Sequence, residues 1–307
     1  MKLELVEILK RMKNLEIQEK DQIIMVREKP RLGKPSKVLE LPKEIKLDEE
    51  NLESLGIFLA EGTTVENYNR IELGNTEFSL LERFLRFLES LKISRNEIRI
   101  KINAFVDSCP MNEVQLKAFW SRKLKIPVGN FQKISWYHQK GTRKKASPYG
   151  VVQIRVYHKL LTKIFQKILQ ETIKLTRKKK SMAIPFLRGI FSGEGCIDKR
   201  KDSIHSVIIS CVKYKNLIKR LLTKCNIKTG KYNPRMRGFP IRGIENFGKI
   251  YKMQLFKLHP TKNKEFTDRI KRHRYFYRIS PLSANPLEAC SVRIEGCKSI
   301  SSVNFIG

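Results

Sequence analysis

Two glutamates, Glu61 and Glu194, close two copies of one short phrase, and their type and spacing point to shared chemistry. The first copy runs Ser54-Leu55-Gly56-Ile57-Phe58-Leu59-Ala60-Glu61-Gly62 and the second Leu187-Arg188-Gly189-Ile190-Phe191-Ser192-Gly193-Glu194-Gly195, with Glu194 following Glu61 by 133 residues. Read as helices, both place small residues four apart on one face, Gly56 with Ala60 and Gly189 with Gly193. Two such helices can cross backbone to backbone. That crossing offsets the cost of about 1 kcal/mol that a glycine carries inside a helix. Gly62 and Gly195 fit the left-handed residue that ends a helix, so each glutamate falls in a last turn, where the helix dipole disfavours an anion. Helices packed in parallel bring the two acids together, and they repel unless a cation lies between them. A divalent metal bound by oxygen ligands is the chemistry such a pair supports. An ordinary buried helix ending in an exposed Glu-Gly accounts for one copy, but not for a matched pair.

The elements that must position these acids repeat as well. A repeat at this spacing implies duplicated domains: an N-terminal arm over residues 1–45, a first repeat over 46–175, a second over 176–280, and a serine-rich tail of no assigned role over 281–307. In the arm, Leu3 to Leu15 fits a short amphipathic helix and Lys29 to Lys37 an extended stretch, which reads as a solvated leader more readily than as an arm that hugs DNA. Asp48 and Glu49 suit the start of the first motif helix, and Pro185 an early position in the second. After the first motif, apolar periodicity predicts a strand over Glu66–Leu73, a helix over Thr76–Leu91, strands over Ile98–Phe105 and Val151–Tyr157, and a helix over Leu160–Leu175. Lys174–Lys180 reads as a basic connector. The second half predicts a strand near Ser206–Cys211, a helix over Tyr214–Cys225, a strand over Ile250–Phe256 and a helix over Lys264–Phe276.

Strand alternation sorts side chains onto two faces. Ile71, Leu73, Ile100, Ile102, Ile154 and Val156 point one way, while Arg70, Glu72, Arg99, Lys101, Gln153 and Arg155 point the other. Tyr251, Met253 and Leu255 likewise oppose Lys252 and Gln254. A face of Arg, Lys and Gln can read base edges in a major groove, although a solvated sheet face is the commoner fate of such a pattern. Arg143 and Lys144, and Arg235, Arg237 and Arg242, lie in loop sequence and suit phosphate contacts. The charge balance favours contact: 63 Lys+Arg against 30 Asp+Glu give a formal net charge of +33. Such an excess is relieved by a polyanion, so nucleic acid is the leading partner, with a membrane surface the weaker alternative, and binding should weaken with salt. No apolar run reaches the roughly 20 residues of a membrane span. Six cysteines without a CxxC pair argue against zinc and for a reduced, intracellular protein.

The two phrases, with the element order after each, resemble the motifs of LAGLIDADG homing endonucleases in their single-chain, two-motif form, over most of residues 45–280. The resemblance implies an α+β fold of two pseudo-symmetric αββαββα subdomains, packed through their motif helices, with antiparallel sheets forming a DNA-binding saddle. It implies an intron-encoded monomer that hydrolyses phosphodiesters in a long pseudo-palindromic DNA site. Glu61 and Glu194 would hold Mg²⁺, or Mn²⁺ or Ca²⁺ in its place, with the carbonyls of Ala60 and Gly193. By position, Asn75 and Lys213 would orient water or steady charge near each acid, although Asn75 also suits a plain helix cap and Lys213 a solvated helix start. The sequence departs from the family pattern at Ser54, where leucine is usual, and at both glutamates, where aspartate is commoner. Related proteins also serve as intron RNA maturases or as DNA-binding proteins that have lost catalysis; keeping both acids argues against the latter. An intein is disfavoured, because Asn304-Phe305-Ile306-Gly307 lacks the His-Asn pair of protein splicing.

Overall fold

The computed structural model describes residues 1–30, 37–65, 69–138, 147–200, 203–210 and 212–272. The chain opens with β1 (Lys2–Glu4), α1 (Leu5–Lys10), β2 (Leu15–Lys20), β3 (Ile23–Glu28), β4 (Leu39–Pro42) and β5 (Glu44–Lys46). The leader is therefore folded. Strands β2, β3 and β4 form an antiparallel sheet, β1 pairs with β5, and Leu5, Leu9, Ile24, Val26 and Leu41 are fully buried. Glu28 ties this unit to the body of the protein through Lys159 at 3.0 Å and Lys163 at 2.8 Å. Charged residues at the other positions of each strand masked the core beneath.

The first repeat comprises α2 (Glu49–Glu61), β6 (Gly62–Val65), β7 (Arg70–Asn75), α3 (Phe78–Ser90), β8 (Arg99–Phe105), α4 (Glu113–Leu124), β9 (Ser135–Tyr137), β10 (Val151–Tyr157) and α5 (Lys159–Lys178). Its sheet has the order β6-β7-β10-β8-β9, antiparallel except between β8 and β9. Helix α2 starts where acids suit it, with the Asp48 carboxylate accepting from the Asn51 amide at 3.0 Å. Buried Ser54, at the position where leucine is usual, donates to the carbonyl of either Glu50 or Arg83.

The second repeat comprises α6 (Lys180–Glu194), β11 (Gly195–Arg200), β12 (Ser203–Ser210), α7 (Lys215–Lys224), β13 (Gly238–Ile241), α8 (Ile244–Lys252) and α9 (Pro260–Lys271). Three corrections arise here. The basic stretch at 174–180 is helical, broken at the extended Lys179, so α5 runs almost directly into α6 and Pro185 lies inside the helix. The strand expected over Ile250–Phe256 is the end of α8 followed by turns, so Lys252 closes a helix and Gln254 adopts a left-handed turn at φ 52. The described sheet of this half consequently has three strands, β11-β12-β13, against five in the first.

Both motif helices are anchored by equivalent phenylalanines. Phe58 packs against Phe84 and Phe165, with ring centroids 5.5 and 4.5 Å away. Phe191 packs against Phe256 at 5.6 Å, and Phe256 against Phe266 at 5.2 Å. Among the described residues no helix is long and apolar enough to cross a membrane.

Candidate metal and nucleic-acid site

Helices α2 and α6 meet through their glycines. A Cβ built on Gly56 would lie 2.1 Å from the Phe186 carbonyl oxygen, and one on Gly189 2.1 Å from that of Glu53. One turn further on, a Cβ on Gly193 would meet Ala60 Cβ and Glu61 Cγ, each at 2.9 Å. The helices therefore run parallel and in register, which brings their C-terminal acids together. Gly62 and Gly195 are extended, not left-handed, with φ −95 and φ −68. What excludes a side chain there is space: a Cβ would stand 2.3 Å from the Phe58 ring at Gly62, and 2.3 Å from the Phe191 carbonyl oxygen at Gly195.

Burial and the neighbouring Glu194 push the Glu61 carboxyl up to about 7. Burial raises Glu194 as well, and the Lys262 ammonium opposes both shifts. Lys262 is the cation this pair faces. Its Nζ donates to the Ser192 carbonyl at 3.0 Å and the Gly193 carbonyl at 2.5 Å, satisfying the end of α6 as a basic residue does at a helix C-terminus. The donor set fits a hard divalent cation, having two carboxylates short of positive charge and backbone oxygens at two helix ends. Lys262 already engages one of those oxygens, that of Gly193. Among the described residues no cluster of three His, Cys, Asp or Glu side chains is placed to hold a metal.

Lys262 reaches the site because α9 begins beside it. His259 caps this helix, its Nδ1 accepting from the Lys262 amide at 3.3 Å, and Ser79 of the first repeat donates to the Leu258 carbonyl at 2.7 Å. The first repeat has the same device, with His158 Nδ1 accepting from the Leu161 amide at 3.2 Å. Burial, with Lys262 beside it, pushes His259 down to about 4. A depressed histidine supports the fold above its unfolded value near 6.5 and loses that support as pH falls through 4. His259→Asn keeps a capping acceptor without the titration. Its unfolding free energy, from urea titration, should therefore fall less than the parent's from pH 6.5 to 4, a difference of about 2–3 kcal/mol. Parallel pH curves for the two proteins would refute this. Glu61 acts in the opposite sense: its raised value favours the fold below pH 4.5, a contribution lost as pH rises through 7.

The open face of the five-stranded sheet carries the expected polar residues, with Ile71, Leu73, Ile100, Ile102, Val152 and Ile154 buried behind them. The register sets Arg155 beside Glu72 on one side and Arg99 on the other, and Gln153 beside Lys101. Much of this face is cross-linked. Glu72 Oε2 pairs with Arg70 at 2.9 Å and Arg155 at 2.8 Å, while Arg155 also donates to Gln132 at 3.0 Å and Gln153 at 2.7 Å. Arg155 is only 9% exposed, so it orders the face more than it projects from it. Arg99, exposed, donates to Asn130 at 2.6 Å.

The remaining expected residues are spread more widely. Arg235 and Arg237 are exposed in a tight turn closed by Asn233 and Gly238, and Arg242 is exposed after β13. Lys252 and Gln254, expected on a strand, lie on no sheet. Lys213 is exposed, with Nζ 5.4 Å from the centre of the Tyr214 ring. Asn75 accepts from the amides of Thr76 and Glu77, both at 2.8 Å, which fixes the entry to α3. Arg143 and Lys144 lie outside the described residues. The sequence reading missed Lys262 and His259.

No family model matches the sequence, and no curated relative matches it. Among solved structures, the chain is similar to the N-terminal LAGLIDADG domain of DUF199/WhiA, with 14% identity and a TM-score of 0.38 over 69% of this chain and 86% of that one. It is similar to full-length DUF199/WhiA from Thermatoga maritima, with 14% identity and a TM-score of 0.40 over 81% and 67%. A third is I-DmoI in complex with DNA and Ca, with 13% identity and a TM-score of 0.36 over 73% and 99%.

Proposed function

We propose that this chain is a site-specific, double-strand DNA endonuclease that depends on a divalent metal. One observation carries the reading: two acids, each short of positive charge, stand at adjoining ends of two helices whose glycines serve to bring them together. Glu61 and Glu194 would hold Mg²⁺, which when bound lowers the pKa of water and stabilises charge on the leaving oxygen. Lys262 fixes the last turn of α6 and limits repulsion between the acids before substrate arrives. Arg99, Lys101 and the ordered network around Arg155 would read base edges, and Arg235, Arg237 and Arg242 would take phosphates. A second reading rests on Lys262 alone. Its hold on the Gly193 carbonyl leaves one oxygen fewer for a metal, as suits a DNA-binding protein that no longer cleaves. Incubating the protein with a randomised duplex library, in Mg²⁺ or in EDTA, separates the two. Metal-dependent double-strand cuts at a defined site support the endonuclease; salt-sensitive binding without cuts in Mg²⁺ or Mn²⁺ supports the second reading, and an absence of duplex binding refutes both.

A further inference from the structure

A second basic surface gathers where the end of α5, the start of α6 and the end of α7 meet. Lys224 Nζ of α7 donates to the Lys178 carbonyl of α5 at 3.1 Å, and Lys249 Nζ of α8 donates to the Asn226 carbonyl nearby at 2.8 Å. Arg177, Lys178, Lys179 and Lys180 follow one another here, all exposed. Helix α7 buries Leu217, Ile218, Leu221 and Leu222 and shows no acid on its outward side. Lys215 with Lys219, and Arg220 with Lys224, set like charges at i,i+4, each costing a few tenths of a kcal/mol.

Of the acids on the elements around it, Glu49 holds Arg188 at 2.8 Å, Glu50 holds Arg83 at 2.5 Å and Glu171 holds Lys174 at 2.7 Å, while exposed Glu245 lies one helical turn before Lys249. Beyond residue 272 the sequence contains only two further acids, Glu288 and Glu295. Lys180 and Glu194 occupy opposite ends of α6, about 21 Å apart at 1.5 Å per residue. A duplex that crosses the C-terminal end of α6, over the acids, would leave this surface uncovered. The half-exposed rings next to it, Tyr214 and Tyr232, are covered by Lys213 and Lys215 at 5.4 and 5.6 Å, and none is fully exposed around residues 177–180, so stacking platforms for single strands are few. Cations without stacking groups suit the phosphates of a duplex.

We infer that this surface binds a second segment of double-stranded DNA while the sheet face holds the first; the inference rests on the DNA-binding part of the reading above and not on cleavage. The test mixes the full chain with a biotinylated duplex and a fluorescent duplex, collects the first on streptavidin and measures co-capture of the second. Light scattering selects complexes with one protein molecule. The triple variant Lys178→Gln, Lys179→Gln, Lys180→Gln should lose about tenfold or more in co-capture while retaining the single duplex. A control with the same loss of charge on the N-terminal unit, Lys10→Gln, Lys13→Gln, Lys20→Gln, should behave as the parent. The inference is overturned by a parent that co-captures nothing, by equal losses in both variants, or by single-stranded RNA or anionic vesicles competing better than duplex. A parent that binds no duplex at all would instead remove the DNA-binding reading.

Discussion

Glu194→Gln and Glu61→Gln are each expected to reduce DNA cleavage about 10³-fold or more while leaving duplex affinity within a few-fold of the parent. The size follows from what a shared metal supplies, several kcal/mol of charge stabilisation, and each substitution removes one of its two carboxylates. Affinity should persist because it comes from the basic strands and loops, which neither glutamine touches. Stability should move the other way. In the metal-free protein burial disfavours both carboxylates, and Glu194 further disfavours that of Glu61, which near pH 7 is partly protonated. Glu61→Gln therefore should not lower the thermal midpoint at neutral pH, and a divalent cation should raise the midpoint of the parent more than that of the variant. Supercoiled plasmid carrying the target, assayed for nicking and for linearisation, gives the cleavage readout. Full linearisation by either glutamine variant would show that the acids do not share the chemistry.

Gly56→Ala and Gly189→Ala are expected to cost about 3 kcal/mol or more each, by the overpacking of a filled interface. At Gly56 the new methyl would meet a backbone carbonyl oxygen at 2.1 Å; at Gly189 it would meet both a carbonyl at 2.1 Å and the Ile57 nitrogen at 2.6 Å. Backbone atoms of a packed helix cannot swing aside as a flexible side chain can, so the helices must separate. Separation also parts the acids, and cleavage should fall with stability. Gly129→Ala provides the contrast, since nothing lies within 4 Å of its added carbon. Urea denaturation of the three variants should place the first two far below the third. Equal midpoints for all three would contradict the close crossing.

The sequence made the centre of this molecule more legible than its edges. The repeated phrase led to both motif helices and both acids, because identity at matched spacing is a signal that local propensity cannot blur. Strands β8 and β10 were readable from alternation over six or more residues. Tyr251, Met253 and Leu255 alternate too, but over a window so short that it also fits the end of a helix carrying buried Phe247 and Ile250. Leu5, Leu9, Ile24 and Val26 were hidden among charges, although they hold a folded unit together. Lys262 was one cation among 63, with nothing in its immediate neighbours to mark it. Its role comes from the docking of α9 against the end of α6, a long-range contact that no local window contains.

The crossing of α2 and α6 is symmetric in its glycines and asymmetric in its charges. Arg188 of α6 reaches Glu49 and Glu53 of α2, at 2.8 and 3.3 Å, whereas the position 133 residues after Glu53 is Phe186. Were a first half to pair with another first half, each Glu53 would keep Arg83 at 3.5 Å but lose Arg188. Were a second half to pair with its own kind, two guanidiniums would face each other with no acid. Either pairing weakens a partly buried network in which Arg188 also donates to the Met253 carbonyl at 2.9 Å. The charges along the crossing thus distinguish α2 from α6, although their glycines match.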